Sequence, residues 1–171
     1  MATVELVLAL RHPVLTKFMT SVTGLGSASA AVVLLGLAYL AGWRREFTVS
    51  VASLSVAGVV VVSLMAIVQR PFPPAPVCLT TGAEMTPHSF PSGHAAAVTV
   101  YAMVARESKH LPVAVVTTLA GVIATSRIYL GTHFLSDTVA GVLIGIGAYI
   151  IGTAIVDRLD ERGRLDITTS A

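Results

Sequence analysis

Three short groups of polar residues interrupt a sequence that is otherwise strongly apolar. Because Arg, His and Asp are costly at membrane depth, an apolar chain keeps them there mainly for function. Two arginines, two histidines, one carboxylate and a Ser-Gly turn are the parts needed to hold and transfer a phosphoryl group. We therefore start from the hypothesis of a single phosphoryl-transfer site formed by Arg70-Pro71, by Pro91-Ser92-Gly93-His94, and by Ser126-Arg127 with His133 and Asp137.

The second group runs directly into an alanine-rich stretch that predicts a helix. Ser92 is a favourable N-cap, and Gly93 lets the backbone approach a ligand closely. The first amides of a helix have no internal partners and lie at the positive end of its dipole, so they form a natural cradle for phosphate. His94, in the first turn, would be placed to give a proton to a leaving oxygen. Taken alone, these residues also fit a simple helix cap followed by an interfacial histidine.

The third group places Arg127 at the end of one apolar stretch and Asp137 at the start of the next, with Gly131 as the break. If the second helix already includes His133, Asp137 follows four residues later on the same face. If Ser136 is the N-cap, Asp137 lies in the first turn. Either arrangement lets the carboxylate accept one ring N–H and leaves the other nitrogen free to attack. The alternatives are a structural His–Asp pair and a metal site, and no second carboxylate or HExxH-type spacing supports a metal.

Arg70 closes the longest apolar stretch. A guanidinium binds two phosphate oxygens in a planar fork, which a lysine cannot do. By itself, an arginine that extends to the lipid head groups is the more common interpretation. The conjunction of three such groups is what favours a site.

The composition indicates a membrane protein of one domain. The chain has 171 residues, of which 54% are hydrophobic and 12% charged, and its mean hydropathy is +0.82; soluble domains carry about 25% charged residues. The net charge of +2 comes without a run of Lys or Arg, which argues against a nucleic-acid partner. The single cysteine, Cys78, excludes an internal disulfide. The first residues lack the basic region and cleavage site of a signal peptide, so we expect none.

Five apolar stretches predict five transmembrane helices, and we expect an all-α, polytopic membrane bundle. The stretch 47–69 is uncharged and as a helix covers about 35 Å, enough for a hydrocarbon core of about 30 Å. Such runs are too long and too little alternating for barrel strands. Residues 1–26 contain Arg11 and Lys17 and predict an interfacial helix, with a tilted sixth span as the alternative. The five spans lie near 27–43, 47–69, 92–105, 111–127 and 137–157.

The loop charges predict an orientation. The side of a membrane protein that carries the excess of Lys and Arg is usually cytoplasmic. In the five-span order, one side holds most of these cations and the other side holds all three polar groups. We therefore expect a multi-pass protein of the cell membrane with an outward-facing site and a cytoplasmic C-terminus; the cytoplasmic cations are Arg44, Arg45, Arg106, Lys109, Arg158, Arg162 and Arg164.

At the three polar groups the sequence resembles the type-2 phosphatidic acid phosphatase superfamily of membrane lipid phosphatases. That family's pattern is K-x6-RP, then PSGH, then SR-x5-H-x3-D, and the chain matches the second and third parts in full. The resemblance implies a helical bundle that needs no metal or other cofactor and works through a phosphohistidine. It implies His133 as the nucleophile, Asp137 as its orienting partner and His94 as acid and then base. The residues implied in phosphate binding are Arg70, Ser92, Gly93 and Arg127.

One position departs from the family pattern. Ser63 stands seven residues before Arg70, where the family's lysine belongs. A hydroxyl donates a hydrogen bond but brings no charge, so phosphate affinity or rate would be reduced. Lys17 or His88 could supply the missing charge from elsewhere in the chain.

The leading functional hypothesis is hydrolysis of a lipid phosphate or diphosphate. Phosphatidic acid, phosphatidylglycerophosphate and polyprenyl (di)phosphate are equally compatible with the sequence. A lipid phosphotransferase would use the same histidine, with an alcohol in place of water. A catalytically weak phospholipid-binding or transport protein is the third hypothesis, suggested by Ser63 and opposed by the complete set of His94, His133 and Asp137. The expected partners are the lipid substrate and membrane lipids, and nothing in the sequence indicates an oligomeric state.

Overall fold

The protein is all helical in the part of the chain that the structure describes, which confirms the predicted fold class. The computed structural model describes residues 7, 9–77 and 88–169, with side chains up to residue 162. Cys78 lies outside these residues. A 3-10 turn at Gly24–Gly26 separates the first two of six described helices, which are α1 (Pro13–Thr23), α2 (Ala28–Leu40), α3 (Arg44–Val68), α4 (Gly93–Glu107), α5 (Val113–Tyr129) and α6 (Leu135–Thr169).

Helix α3 ends where the sequence changes from apolar to polar. Val68 is its last residue, and Gln69 adopts a left-handed backbone conformation with φ of 48° while its N–H donates to the Met65 carbonyl. A left-handed residue is a common way to end a helix, and the following Pro71 disfavours helical geometry at the residue before it. Arg70 therefore leaves the helix and enters the loop that begins the site.

Two helices, α3 and α6, are long and apolar enough to cross a membrane. The segments Pro13–Gly26 and Ala28–Leu40, bent by 56° at their junction, would qualify together as a third span. Helices α4 and α5 have 15 and 17 residues, fewer than the roughly 20 that cross a hydrocarbon core. Helices α2 to α6 occupy the five predicted stretches, but by length and composition the described helices supply two or three spans, so the count of five was approximate.

Helix α6 packs against both α3 and α4. Small residues allow the close approach to α4: a Cβ atom at Gly141 would lie 2.9 Å from the Ala95 Cβ, and one at Gly145 would lie 2.7 Å from the Thr99 Cβ. Close contact through small residues is how helices commonly associate in membranes. It holds the first turns of α4 against the first turns of α6.

Large apolar side chains are exposed on the outside of the bundle. Leu40 is 80% exposed, Ile67 75% and Leu143 64%. In water such a surface would be unfavourable, because exposed apolar area costs about 25 cal/mol per Å². Lipid tails solvate these side chains without that cost, as expected of a membrane protein.

Helix α1 packs along α5. The Tyr129 hydroxyl accepts from the His12 N–H over 3.0 Å and is hydrogen-bonded to the Thr16 hydroxyl at 3.1 Å. Val14 and Phe18 of α1 remain exposed. The helix predicted within residues 1–26 thus exists from Pro13 onward, and its position in the membrane interface stays a prediction.

The end of the bundle opposite to the three polar groups carries the cationic loop residues. There Arg45 forms a salt bridge with Asp157 at 3.0 Å. The Ser108 hydroxyl donates to the Glu46 carboxylate over 2.7 Å. These contacts join the start of α3 to the end of α4 and to the later part of α6.

Candidate active site

The three polar groups meet at one end of the bundle. They come from the end of α3, the start of α4, the end of α5 and the start of α6. Backbone hydrogen bonds connect them: the Ser89 N–H donates to the Arg70 carbonyl over 2.8 Å, and the Ser92 N–H donates to the Asp137 carbonyl over 3.0 Å. Three chain segments that are distant in sequence therefore form one composite site.

His133 lies in the loop between α5 and α6 and is only 5% exposed. Its Nδ1 is hydrogen-bonded to the Ser89 backbone carbonyl. Because a carbonyl oxygen only accepts, Nδ1 carries the proton, and the lone pair of the neutral ring is on Nε2. Burial, and then the positive charge of Arg127, lower the pKa of His133 to about 4, although the Ser89 bond opposes them. At neutral pH the ring is uncharged and Nε2 is available as a nucleophile.

The Asp137 carboxylate does not take the place expected for it. Within the described residues it has no hydrogen bond to the His133 ring; it accepts from Arg70 Nη1 over 2.7 Å and from the Phe134 N–H over 2.8 Å. Helix α6 starts at Leu135, so Asp137 lies in its first turn, where the carboxylate accepts from the N–H of the preceding Phe134. The direct orienting role of Asp137 stays a prediction, and in this structure the Ser89 carbonyl is the hydrogen-bond partner of His133 Nδ1.

Arg70 is fixed at the edge of the site by three contacts. Besides its ion pair with Asp137, its Nη1 donates to the Ser136 hydroxyl over 2.7 Å. The guanidinium carbon lies 4.1 Å from the centre of the Phe134 ring, a cation–π distance. The side chain is 36% exposed. Only Nη1 is engaged by the described residues, so the arginine is held in place with donors left for a ligand.

Arg127 lies deeper in the site. Its Nη1 donates to the Thr23 hydroxyl over 3.1 Å, while its Nε is buried without a hydrogen-bond partner among the described residues. A buried guanidinium that lacks a carboxylate partner is costly unless an anion binds to it. The Arg127 carbonyl accepts from the N–H groups of Thr132 and His133, which joins the arginine to the loop that carries His133.

The start of α4 has the geometry expected of a phosphate cradle. Ser92 is fully buried and its hydroxyl accepts from the Ala95 N–H, as an N-cap does. A Cβ atom at Gly93 would make only an ordinary contact of 3.6 Å with Val61, so packing does not require this glycine. Its small size instead leaves access to the free helix amides. His94 follows in the first turn and is half-buried.

The residues considered in place of the family's lysine differ in exposure. Ser63 has an exposed side chain, two residues after the buried Val61 and therefore on the opposite face of α3. Lys17 is exposed on α1, and His88 is half-buried beside Ser89. Within the described residues, no group of three or more His, Cys, Asp or Glu side chains could hold a metal ion.

Two residues of the N-terminal segment were missed as neighbours of the site. Thr23 contacts Arg127 as described, and Arg11 donates from Nη1 to the Ala75 carbonyl over 2.8 Å and from Nε to the Tyr129 carbonyl over 3.4 Å. No local sequence signal marks either residue, because both contacts are long-range.

Comparison with known proteins decides the family. The family model of the PAP2 superfamily matches residues 48–161, a range that contains every predicted site residue. The chain belongs to the PAP2 superfamily. It is 36% identical over 121 residues to decaprenylphosphoryl-5-phosphoribose phosphatase of Mycobacterium tuberculosis, covering 70% of this chain and 67% of that protein.

Solved structures of two proteins share the architecture. LpxE of Aquifex aeolicus is 30% identical with a TM-score of 0.75, over 88% of this chain and 92% of that one. A PAP2-type phosphatidylglycerolphosphate phosphatase from Bacillus subtilis has a TM-score of 0.77 at 24% identity, over 92% of this chain and 84% of that one, and shares the fold. The protein is a PAP2-family phosphatase with the apolar helices of a membrane protein.

Proposed function

We propose that this PAP2-family phosphatase hydrolyses a lipid-linked phosphate or diphosphate through a phosphohistidine on Nε2 of His133. The observation that carries the proposal is the hydrogen bond from the buried His133 Nδ1 to the Ser89 carbonyl. It leaves an uncharged ring whose free nitrogen lies at the same end of the bundle as two arginines and a helix N-terminus. Such a nucleophile splits hydrolysis into two easier displacements.

In the first step, Nε2 of His133 attacks phosphorus and the bond from phosphorus to the lipid oxygen breaks. Protonated His94 gives its proton to that oxygen, so the lipid leaves as an alcohol, or as a lipid monophosphate if a diphosphate is cleaved. In the second step, neutral His94 takes a proton from water, the water oxygen attacks phosphorus, and the phosphorus–nitrogen bond breaks. Inorganic phosphate is released, and both histidines return to their initial protonation states.

The phosphoryl oxygens are held by fixed positive groups in this proposal. Arg70 is kept in place by Asp137, Ser136 and Phe134, and Arg127 is buried with Nε unengaged by the described residues. The Ser92 hydroxyl and the Gly93 amide add donors at the start of α4. Preorganised donors of this kind supply most of the catalysis of phosphoryl transfer. They also explain how the reaction could proceed without a metal ion.

The substrate class follows from the relatives and from the apolar surface. The similarity to decaprenylphosphoryl-5-phosphoribose phosphatase supports a polyprenyl-linked phosphate as the first substrate to test. Phosphatidic acid and phosphatidylglycerophosphate are the next candidates.

The site is proposed to face outward in the cell membrane, with the C-terminus in the cytoplasm. Support comes from Arg45 and its cationic neighbours, which lie at the opposite end of the bundle.

The test is release of inorganic phosphate from these lipids by purified protein, with and without EDTA. We expect release that EDTA does not suppress, acid-labile phosphate on His133, and no turnover by His133→Ala. His110→Ala is the matched control, because His110 stacks on Trp43 at the far end of the bundle. Label on another residue, or full activity of His133→Ala, would overturn the mechanism. Transfer of phosphate to an added alcohol in preference to water would make the protein a phosphotransferase.

A further inference from the structure

The bend between α1 and α2 contacts two residues of the site. Thr23, the last residue of α1, is 1% exposed, and Gly26 ends the 3-10 turn that follows. Both lie outside the range 48–161 that matches the PAP2 superfamily. The bend therefore adds to the site something that the family's motifs do not contain.

Thr23 holds Arg127. Its hydroxyl accepts from Arg127 Nη1 over 3.1 Å, across 104 residues of sequence. A hydrogen bond to one end of a guanidinium restricts the orientation of the whole planar group, and Nε of this arginine has no partner among the described residues. The orientation matters because a guanidinium recognises phosphate oxygens through its directed N–H groups.

Gly26 lies against His94. A Cβ atom at Gly26 would lie 3.0 Å from the His94 Cδ2 and 2.9 Å from the Ile123 Cγ2, both closer than ordinary contacts. Gly24, in the same turn, would meet nothing within 4 Å. The backbone at Gly26 is thus one wall of the space that the His94 ring occupies.

We propose that Thr23 and Gly26 are positioning residues of the active site, Thr23 for the phosphate-binding Arg127 and Gly26 for the proton donor His94. The proposal rests on the proposed function, because it assumes the roles given there to Arg127 and His94. It assigns the N-terminal bend to the catalytic apparatus, in addition to any role as a membrane anchor.

The hydroxyl of Thr23 is tested by Thr23→Val, which keeps the shape, and by Thr23→Ser, which keeps the donor–acceptor group. Thr20→Val is the matched control, because among the described residues the Thr20 hydroxyl bonds only to the Lys17 carbonyl of its own helix. We expect the vanadate inhibition constant to rise about tenfold in Thr23→Val, the scale of one hydrogen bond to a charged group. Thr23→Ser and Thr20→Val should stay within about twofold of wild type.

A second readout avoids turnover altogether. Vanadate bound at the site raises the melting temperature of the protein. Thr23→Val should reduce that rise in the wild-type background and have no further effect in the Arg127→Ala background. A Thr23→Ser variant as impaired as Thr23→Val, or a Thr23→Val variant equal to Thr20→Val, would overturn the role of Thr23.

Gly26 is tested by comparing Gly26→Ala with Gly24→Ala. We expect Gly26→Ala to lose about tenfold in kcat/KM on a lipid phosphate and clearly less on nitrophenyl phosphate, whose leaving group needs little protonation. Gly24→Ala should match wild type on both substrates. Equal losses on both substrates, or equal behaviour of the two variants, would overturn the role of Gly26; this pair also decides the proposal if Thr23→Val does not fold.

Failure of the proposed function is recognised separately. If Arg127→Ala and His94→Ala keep wild-type activity, the proposed function fails and the positioning roles fail with it. If those two variants are impaired while Thr23→Val and Gly26→Ala match their controls, only the positioning roles fail.

Discussion

Replacement of Asp137 by asparagine separates two roles for this carboxylate. In the structure it accepts from Arg70 Nη1 over 2.7 Å and from the Phe134 N–H over 2.8 Å, whereas the His133 ring is held by the Ser89 carbonyl. We therefore expect Asp137→Asn to weaken phosphate binding through Arg70. The protonation of His133 should be unchanged.

The size of the effect follows from the contacts. Asparagine keeps one acceptor oxygen for two donors and carries no charge. Loss of a hydrogen bond to a charged group costs about 1.5–3 kcal/mol, which is about 10- to 150-fold in affinity. Asp137 is fully buried, but the Arg70 side chain is 36% exposed, so water compensates part of the loss. We expect the lower end of the range, a vanadate inhibition constant raised about tenfold.

The assay is a double-mutant cycle on vanadate inhibition with Arg70→Ala, Asp137→Asn and the double variant. The coupling energy should be about 1.5 kcal/mol, because each single variant already breaks the pair. The kcat for nitrophenyl phosphate should fall less than vanadate affinity does, and acid-labile phosphate should still form on His133. Melting temperatures of all variants provide the control for folding.

A different result is expected if Asp137 acts on His133 and not on Arg70. If the carboxylate set the tautomer of His133, as the sequence interpretation had it, Asp137→Asn would lower kcat by about 10⁴-fold, the scale known for the aspartate of a serine-protease triad. A loss of that size, with vanadate inhibition unchanged and no coupling to Arg70, would refute the reasoning.

Three further predictions concern single groups. His94→Ala should lose far more activity on a lipid phosphate than on nitrophenyl phosphate, because only the alkoxide leaving group needs a proton; similar losses on both would contradict the role of this histidine as acid. The lowered pKa of His133, about 4, means that the ring keeps its lone pair above that pH and loses it by protonation below. The acid limb of kcat/KM, corrected for ionisation of the substrate, should therefore lie near pH 4, and a limb near 6.5 would show that the histidine titrates normally. Ser63→Lys should leave the vanadate inhibition constant within about twofold of wild type, because the side chain is exposed on the face of α3 opposite to Val61; a marked tightening would show that a lysine there reaches the site.

The fold class and the grouping of the polar residues were predictable from the sequence. Uncharged runs as long as 47–69 leave the helix as the only structure that pairs its own backbone groups in lipid. The order of the runs then places alternate ends on alternate sides of a membrane. The lengths of α4 and α5 were harder to predict. Helix α4 starts at Gly93 and ends at Glu107, and α5 starts at Val113, so both helices are shorter than the roughly 20 residues that cross a hydrocarbon core.

The partner of His133 was not predictable. Both helix starts that the sequence allows let Asp137 reach the histidine. The partner that the carboxylate takes in the structure, Arg70, is 67 residues away in the sequence, so no local pattern indicates it. The partner in the structure, Ser89, contributes its backbone carbonyl. Every residue has such a carbonyl, so the residue type gives no indication of this contact. The contact of Thr23 with Arg127 could not be predicted from the sequence either, because a threonine at a helix end is usually a cap or a surface residue.

The location of all site groups at one end of the bundle makes the reaction vectorial. Whatever the orientation, inorganic phosphate leaves into a single compartment and the dephosphorylated lipid remains in a single leaflet. A substrate formed in the other leaflet has to cross the bilayer before it can react. In sealed vesicles that hold the protein in a single orientation, the lipid of the leaflet that the site faces would be hydrolysed first. The lipid of the other leaflet would then be hydrolysed at the rate at which lipids exchange between the leaflets.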